Sequence, residues 1–245
     1  NTHMIEAAYR AGAERFFFSS SACAYNTDLQ QDPNVRALKE SDAYPAMAER
    51  GYGWEKLLSE MFCQEYWAER RMKTFIARFH NVYGPNGTWD GGREKAPAAL
   101  TRKVVEAQDT GDNAITIWGD GHQTRSFMYI DDCTKGIDMI MHCERLTATP
   151  INLGSSYLVS INDLVSMIED IAGIKMDRTY DLTAPRGVAG RNSDNTFIRE
   201  VLDWEPNTPL RVGMERTYAW IKQQYADRKA GIYTPAAETG MPSTH

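Results

Sequence analysis

Apolar residues recur along the chain at two spacings, one typical of amphipathic helices and the other of short buried strands. In residues 52–71 the apolar side chains fall three or four positions apart, on one helical face. Residues 15–18 and 74–79 are instead short apolar runs, which predict strands. The same criteria predict further helices at 4–11, 94–108, 131–143, 160–171, 196–204 and 210–226, further strands at 115–118, 126–130, 151–153 and 176–180, and loops at 26–50 and 83–92.

The alternation of helices and strands sets the expected fold class. Alternating elements with short connections predict an α/β fold with a mostly parallel sheet. In such sheets, ligands bind beyond the carboxyl ends of the strands. Polar residues follow two predicted strands at those ends, residues 19–23 after the first and His80 and Asn81 after the second. We therefore expect active-site residues at these two points.

The two ends of the chain differ from its middle. Residues 1–8 match the interior of an amphipathic helix and resemble neither an initiator segment nor a signal peptide. We therefore expect the chain to be truncated at its N-terminus. Residues 229–245 are rich in Pro, Thr and Ala, and this composition predicts a disordered tail.

Composition excludes several classes of protein. Of the 245 residues, 27 are Lys or Arg and 33 are Asp or Glu, so the formal net charge is −6. An acidic chain of this kind is not expected to bind nucleic acid or an anionic membrane. No apolar run approaches the roughly 20 residues that span a bilayer. The four cysteines lack CxxC spacing and the five histidines lack a ligand pattern, so we expect no metal site and a reducing compartment.

Tyr52 and Lys56 lie four positions apart, on one face of the predicted helix. A phenol with a pKa near ~10 is a poor base at neutral pH, and a nearby ammonium favours the phenolate. Such a pair can transfer a proton to or from an alcohol during hydride transfer. Alone, the pair is more often two unrelated residues on a solvated helix. Its position about thirty residues after the serines at 19–21 favours the catalytic interpretation.

These residues together resemble the catalytic set of the extended short-chain dehydrogenase/reductases, the NAD-dependent epimerase/dehydratase superfamily. Residues 78–85 (RFHNVYGP) and 125–132 (RSFMYIDD) resemble two further motifs of that superfamily. The resemblance implies a Rossmann-like, doubly wound parallel sheet and the cofactor NAD, which Tyr52 and Lys56 also contact. It implies these domain limits: 1–86 for the remaining NAD-binding part, and 87–228 for a smaller substrate-binding α/β subdomain, with 126–154 returning to the sheet.

The superfamily's Gly-rich phosphate-binding turn, GxxGxxG, does not occur in this sequence. The resemblance therefore implies that a segment on the order of 100 residues, the first part of the dinucleotide-binding fold, precedes this chain in the full protein. We expect the full protein to bind NAD tightly and the chain alone to bind it weakly.

Three shorter segments resemble one branch of the superfamily, the GDP-mannose 3,5-epimerases. They are residues 21–25 (SACAY), 91–99 (GGREKAPAA) and 190–195 (GRNSDN). The resemblance implies transient oxidation at C4, which acidifies the protons at C3 and C5. It further implies that Cys23 and Lys95 form the acid/base pair on opposite faces of the sugar and that Ser21 orients the reacting oxygen beside Tyr52.

The catalytic residues implied are thus Tyr52, Lys56, Cys23, Lys95 and Ser21. The resemblance also implies a set of substrate-binding residues: Ser21, Ala22, Cys23, Tyr52, Asn81, Glu94, Lys95, Ala96, Lys103, Gln123, Thr124, Arg125 and Arg191. Lys103, Arg125 and Arg191 would contact the diphosphate, since guanidinium groups suit phosphate oxygens. Free cysteines usually only pack in cores, and we expect this of Cys63, Cys133 and Cys143.

Two other functions remain open on the sequence. One is a related NAD-dependent nucleotide-sugar 4-epimerase or 4,6-dehydratase. The other is a catalytically inactive fragment that binds a nucleotide-sugar or acts as a scaffold. The resemblance also implies a cytoplasmic homodimer and a role in ascorbate biosynthesis.

Overall fold

A computed structural model of the protein describes residues 1–184 and 187–232. The helices are α1 Thr2–Arg10, α2 Tyr52–Arg70, α3 Ala96–Thr110, α4 Ile130–His142, α5 Ile161–Ala172, α6 Thr196–Leu202 and α7 Leu210–Lys229. The strands are β1 Arg15–Ser21, β2 Lys73–Phe79, β3 Val82–Tyr83, β4 Ala114–Trp118, β5 Thr124–Ser126, β6 Met128–Tyr129, β7 Pro150–Leu153, β8 Leu158–Ser160, β9 Asp177–Asp181 and β10 Gly190–Arg191.

The described residues form two compact units. The first unit comprises Asn1–Val82, His122–Val159 and 187–208. The second unit comprises Tyr83–Gly121, 160–184 and 209–232. The last residues of the predicted disordered tail, 233–245, lie outside the described residues, whereas its first residue, Lys229, ends α7.

The first unit contains a parallel sheet in the order β1, β2, β7. Arg15 pairs with Lys73 and Ser21 with Phe79, so β1 and β2 end together. Phe75, Ile76 and Ala77 of β2 are fully buried, as expected for a parallel strand that is covered on both faces. The predicted α/β class with a parallel sheet is therefore confirmed.

The second unit packs three helices and a small sheet. Helix α3 contacts both α5 and α7, and β4 pairs in parallel with β9. Ile115 and Ile117 of β4 are buried while Trp118 is exposed, so the sheet has one buried and one open face.

Several predicted boundaries were wrong. The expected strand at 126–130 is divided into β5 and β6, and α4 begins at Ile130. Helix α3 begins at Ala96 instead of 94, because Pro97 occupies its first turn and Lys95 is the N-cap residue. The expected loop at 26–50 includes short 3-10 turns at Thr27–Gln30 and Glu40–Ala43.

A search of the described helices finds none with the length and apolar character needed to cross a membrane.

Candidate active site

The carboxyl ends of β1 and β2 bring the two expected groups of polar residues together. Ser21 pairs with Phe79 in the sheet, so Ser21 lies beside the start of the segment that contains His80 and Asn81. Asn81 has a φ of 35°, a left-handed conformation that Asn tolerates better than most residues. Its Nδ2 donates to Ser126 O at 3.2 Å, and its carbonyl oxygen accepts a hydrogen bond from Met128 N. These contacts fix the loop after β2 at the sheet edge.

Helix α2 presents Tyr52 and Lys56 to this edge. Tyr52 is the first residue of the helix and follows Gly51, whose φ is 74°. Lys56 Nζ donates to Ser19 O at 2.8 Å and lies 5.3 Å from the centre of the Tyr52 ring. The lysine thereby joins the end of β1 to the tyrosine.

The ionisation of Tyr52 differs from the expectation based on Lys56. Burial raises the pKa of the Tyr52 phenol above its ordinary value. A hydrogen bond with Ser21 acts in the opposite direction, while the negative charges possible on Cys23 and Glu55 raise the pKa further. Ser21, and not Lys56, is the neighbour that acts to lower the pKa of Tyr52, so the lowering expected from the ammonium is not found.

Cys23 lies on a 3-10 turn, Ala22–Ala24, directly after β1. Ser21 Oγ caps the turn by accepting from Cys23 N at 3.2 Å. Glu49 N donates to Cys23 O at 3.0 Å. A Cβ at Gly53 would overlap Cys23 O, so only glycine allows α2 to approach the turn this closely. The thiol is thus fixed beside the Tyr52 end of α2.

Arg191 contacts Cys23 directly. Its Nη1 lies 3.5 Å from Cys23 Sγ, its Nε donates to Gln30 Oε1 at 2.6 Å, and its Nη2 donates to the Glu49 carboxylate. The side chain is buried. The resemblance implied a diphosphate contact for Arg191, whereas the structure places its guanidinium on the sulfur.

Arg125 lies beside Arg191, because β5 and β10 pair in parallel. Its guanidinium donates to Thr124 O at 2.7 Å and to Val188 O at 2.6 Å. Burial, and secondly the charge of Arg191, lower the pKa of Arg125 to about 10. Gln123 and Thr124 precede it in the same segment, so the structure groups these predicted residues with Arg191.

The remaining predicted residues, Glu94, Lys95, Ala96 and Lys103, belong to the second unit. Lys95 is exposed at the N-terminus of α3. The preceding carboxylate, Glu94, accepts from Arg102 at 2.9 Å. Lys103 Nζ donates to Thr116 O at 2.9 Å, and burial lowers the pKa of Lys103. Within its unit, Lys95 is therefore accessible and the segment before it is fixed by an ion pair.

A buried ion pair behind the site was missed by the sequence analysis. Glu60 and Arg78 form two hydrogen bonds, at 2.9 and 2.7 Å, and Glu60 also accepts from the Ser20 hydroxyl. The pair joins α2 to β1 and β2, next to the residues that present the site. Two signals in the sequence could have indicated it: an arginine within an apolar strand, and a carboxylate four positions after Lys56 on the same helical face.

Comparison with known proteins identifies the family of the chain. Residues 1–154 match the model of the NAD dependent epimerase/dehydratase family. The chain is 45% identical over 232 residues to GDP-mannose 3,5-epimerase of Arabidopsis thaliana, covering 93% of this chain and 59% of that protein. GDP-mannose 3,5-epimerase 1 of Oryza sativa subsp. indica is 44% identical, with coverages of 93% and 58%. The chain thus spans less than two thirds of the length of these relatives.

Solved structures show the same fold. The UDP-glucuronic acid 4-epimerase from Bacillus cereus, in complex with UDP-glucuronic acid and NAD, superposes with a TM-score of 0.75 at 28% identity, covering 89% of this chain and 64% of that one. The UDP-glucose 4-epimerase from Thermotoga maritima has a TM-score of 0.78 at 24% identity, with coverages of 90% and 67%; at that identity the likeness concerns the fold alone.

Proposed function

The chain belongs to the NAD-dependent epimerase/dehydratase family, and from this premise we propose that its protein epimerises GDP-mannose at C3 and C5. The proposed products are GDP-L-galactose and GDP-L-gulose. The names of its 45% and 44% identical relatives support the substrate. The observation that supports the reaction best is the placement of Cys23, a half-buried thiol beside Tyr52 and against a guanidinium. A 4-epimerase needs no such second acid/base group.

Tyr52, Lys56 and Ser21 fit the redox part of this reaction. Tyr52 is 53% exposed at the carboxyl end of the sheet, and the Ser21 side chain acts to lower its pKa. In the proposed reaction, Tyr52 takes the proton of the C4 hydroxyl and Ser21 orients the oxygen. Bound NAD would supply the hydride chemistry at C4. Lys56 would hold the nicotinamide side of the cofactor together with Tyr52.

Cys23 and Lys95 perform the two inversions in this proposal. With a ketone at C4, the C–H bonds at C3 and C5 become acidic because each carbanion is an enolate. At each carbon, one of the two residues removes the proton from one face and the other donates a proton to the opposite face. Thiols and amines are both side-chain groups that serve as acids and bases in enzymes.

For substrate binding we propose the residues that the resemblance implies, some in the first unit and some in the second. Lys103 and Arg125 are each proposed to contact the diphosphate. Arg191 is not, because its three guanidinium nitrogens already contact protein side chains. The sugar would lie against the following residues: Ser21, Ala22, Asn81, Glu94, Ala96, Gln123 and Thr124.

We also propose a cytoplasmic homodimer that acts in ascorbate biosynthesis. Trp54, Leu58 and Met61 are exposed and lie on one face of α2, where they form an apolar stripe suited to a second copy. Sedimentation velocity of the protein and of its Leu58→Glu variant measures this association, and equal monomeric masses for both would exclude a dimer through α2.

To test the activity, the full-length gene product is incubated with NAD and GDP-mannose, and the products are separated by chromatography. We expect two new GDP-hexoses, and we expect Cys23→Ala and Lys95→Ala each to abolish their formation. Cys143→Ala, which replaces another partly buried thiol, is the matched control and should retain activity.

The alternatives give different results. A 4-epimerase keeps its activity in both the Cys23→Ala and Lys95→Ala variants. A 4,6-dehydratase releases water and accumulates a 4-keto-6-deoxy sugar. An inactive protein binds GDP-mannose without forming product, and that result would refute the proposed function.

A further inference from the structure

Glu49 is part of the charged cluster around Cys23, although the proposed proton transfers do not require it. The three nitrogens of the Arg191 guanidinium contact three different side chains: Nη1 lies 3.5 Å from Cys23 Sγ, Nε donates to Gln30 Oε1, and Nη2 donates to Glu49 Oε1. The guanidinium is therefore held in one orientation, with the thiol, an amide and a carboxylate each on a different nitrogen.

The backbone of Glu49 is fixed to the same site. Its N–H donates to Cys23 O at 3.0 Å, and its carbonyl oxygen accepts from Trp54 N at 3.2 Å in the first turn of α2. The carboxylate thus starts from a residue that joins the Cys23 turn to the helix bearing Tyr52. The Glu49–Arg191 contact is therefore anchored to the backbone at both Cys23 and α2.

The charges facing Cys23 come from four segments. Arg191 faces it from β10, Glu49 from the residues before α2, Arg125 from β5 and Tyr52 from the start of α2. The two arginines favour negative charge on the sulfur, whereas Glu49 opposes it. The carboxylate therefore offsets part of the cationic field at the thiol.

We propose that Glu49 is a positioning residue for Cys23: it holds the Arg191 guanidinium on the sulfur and limits how strongly that cation stabilises the thiolate. When Cys23 donates its proton to one enolate carbon, the S–H bond breaks, a C–H bond forms and the thiolate stays paired with Arg191. When Cys23 takes a proton, a C–H bond breaks and an S–H bond forms. The negative charge of Glu49 favours this direction because it opposes the thiolate. This role of Glu49 in the reaction rests on the proposed function of Cys23.

Alkylation of Cys23 measures this arrangement without substrate. Only the thiolate reacts with iodoacetamide at an appreciable rate, and mass spectrometry of the peptide that contains residue 23 gives its rate at pH 7. Burial raises the pKa of Cys63 to about 12 and that of Cys133 to about 11, so these two thiols serve as slow internal references.

Charge removal at the two partners should have opposite effects. A charge within about 4–6 Å shifts a pKa by about one to three units. Glu49→Gln removes the charge but keeps an amide oxygen that can accept from Arg191 Nη2, so alkylation of Cys23 should accelerate by about tenfold. Arg191→Gln removes the cation and should slow alkylation by about tenfold. Arg191→Lys, which keeps the charge, should slow it less. The matched control is Glu215→Gln, which removes a carboxylate paired with an arginine on the surface and should leave the rate unchanged.

The signs of these changes decide the proposal. Slower alkylation in both the Glu49 and Arg191 variants would show that the pair only supports the local structure, and an unchanged rate in Glu49→Gln would exclude a charge effect; either result overturns the proposal. If Arg191→Gln does not fold by circular dichroism, Glu49→Gln alone decides. Because alkylation needs no turnover, a protein that lacks 3,5-epimerase activity refutes the proposed function independently of this result.

Discussion

At the scale of single residues, His80 is a buried group whose protonation state follows from its contacts. Its Nε2 lies 3.0 Å from Asn152 Oδ1, which also accepts from the Tyr25 hydroxyl at 2.6 Å. Since Asn152 Nδ2 donates to Leu38 O at 2.8 Å, the oxygen assignment is fixed and His80 Nε2 must carry the hydrogen. Burial lowers the pKa of His80 to about 3.

This histidine predicts a pH dependence of stability. Between pH 6.5, the ordinary pKa, and about 3, the unfolded chain binds a proton that the folded protein does not. The free energy of unfolding therefore falls as the pH falls through this window, by up to about 1.4 kcal/mol per pH unit from this group. The contribution of His80 to the free energy of unfolding is fully retained above pH 6.5.

Urea unfolding of the protein and of His80→Gln, between pH 5 and 7.5, isolates the effect. Gln can keep a donor near Asn152 without titrating, so the variant should lose less stability than the unaltered protein below pH 6.5. Parallel pH dependences of the two proteins would contradict the account.

The residues of the site differ in how far the sequence could predict them. Tyr52 and Lys56 were predicted from their spacing of four positions and their place about thirty residues after the serines at 19–21, and Cys23 from the resemblance of residues 21–25. Glu49 and Gln30 reach Arg191 from 142 and 161 positions away in the chain. Such contacts depend on the tertiary fold, and no local pattern predicts them.

At the scale of elements, the close approach of α2 to the end of β1 depends on Gly53. A Cβ there would overlap Cys23 O and lie 3.1 Å from Glu49 Cβ. We predict that Gly53→Ala lowers the free energy of unfolding by about 1–3 kcal/mol, the usual cost of overpacking, and reduces kcat by displacing both Cys23 and Tyr52.

Chemical denaturation and steady-state assays measure the two effects. Gly87→Ala is the matched control, because a Cβ there meets no atom closer than Gly84 O at 3.5 Å. Unchanged stability and kcat in Gly53→Ala would show that the turn and helix can separate freely.

The predicted elements were accurate where the apolar pattern is long and less so where a strand has only two residues. Strand β2 and helix α2 have long, consistent apolar patterns, and both were placed to within a residue or two. The two-residue strands β3, β6 and β10 are too short to show a period. They exist because their backbones pair with segments distant in sequence.

At the scale of the whole molecule, the parallel sheet explains why the site residues of the first unit converge. Strands β1 and β2 end in register, and β7 continues the sheet beside β2. Side chains from β1, the loop after β2 and the start of α2 therefore reach one edge. The alternation of helices and strands was enough to predict that polar residues would meet at this edge. The charged side chains around the Cys23 thiol became known only from the structure.

The central claim is that the protein inverts C3 and C5 of GDP-mannose through an oxidised C4. The most direct measurement is proton NMR of GDP-mannose after incubation in D2O with NAD and the full-length gene product. We predict that solvent deuterium enters at both C3 and C5 and that the hydrogen at C4 is retained, since it leaves and returns as hydride. Absence of deuterium from both carbons, with the enzyme folded and NAD bound, would contradict the account.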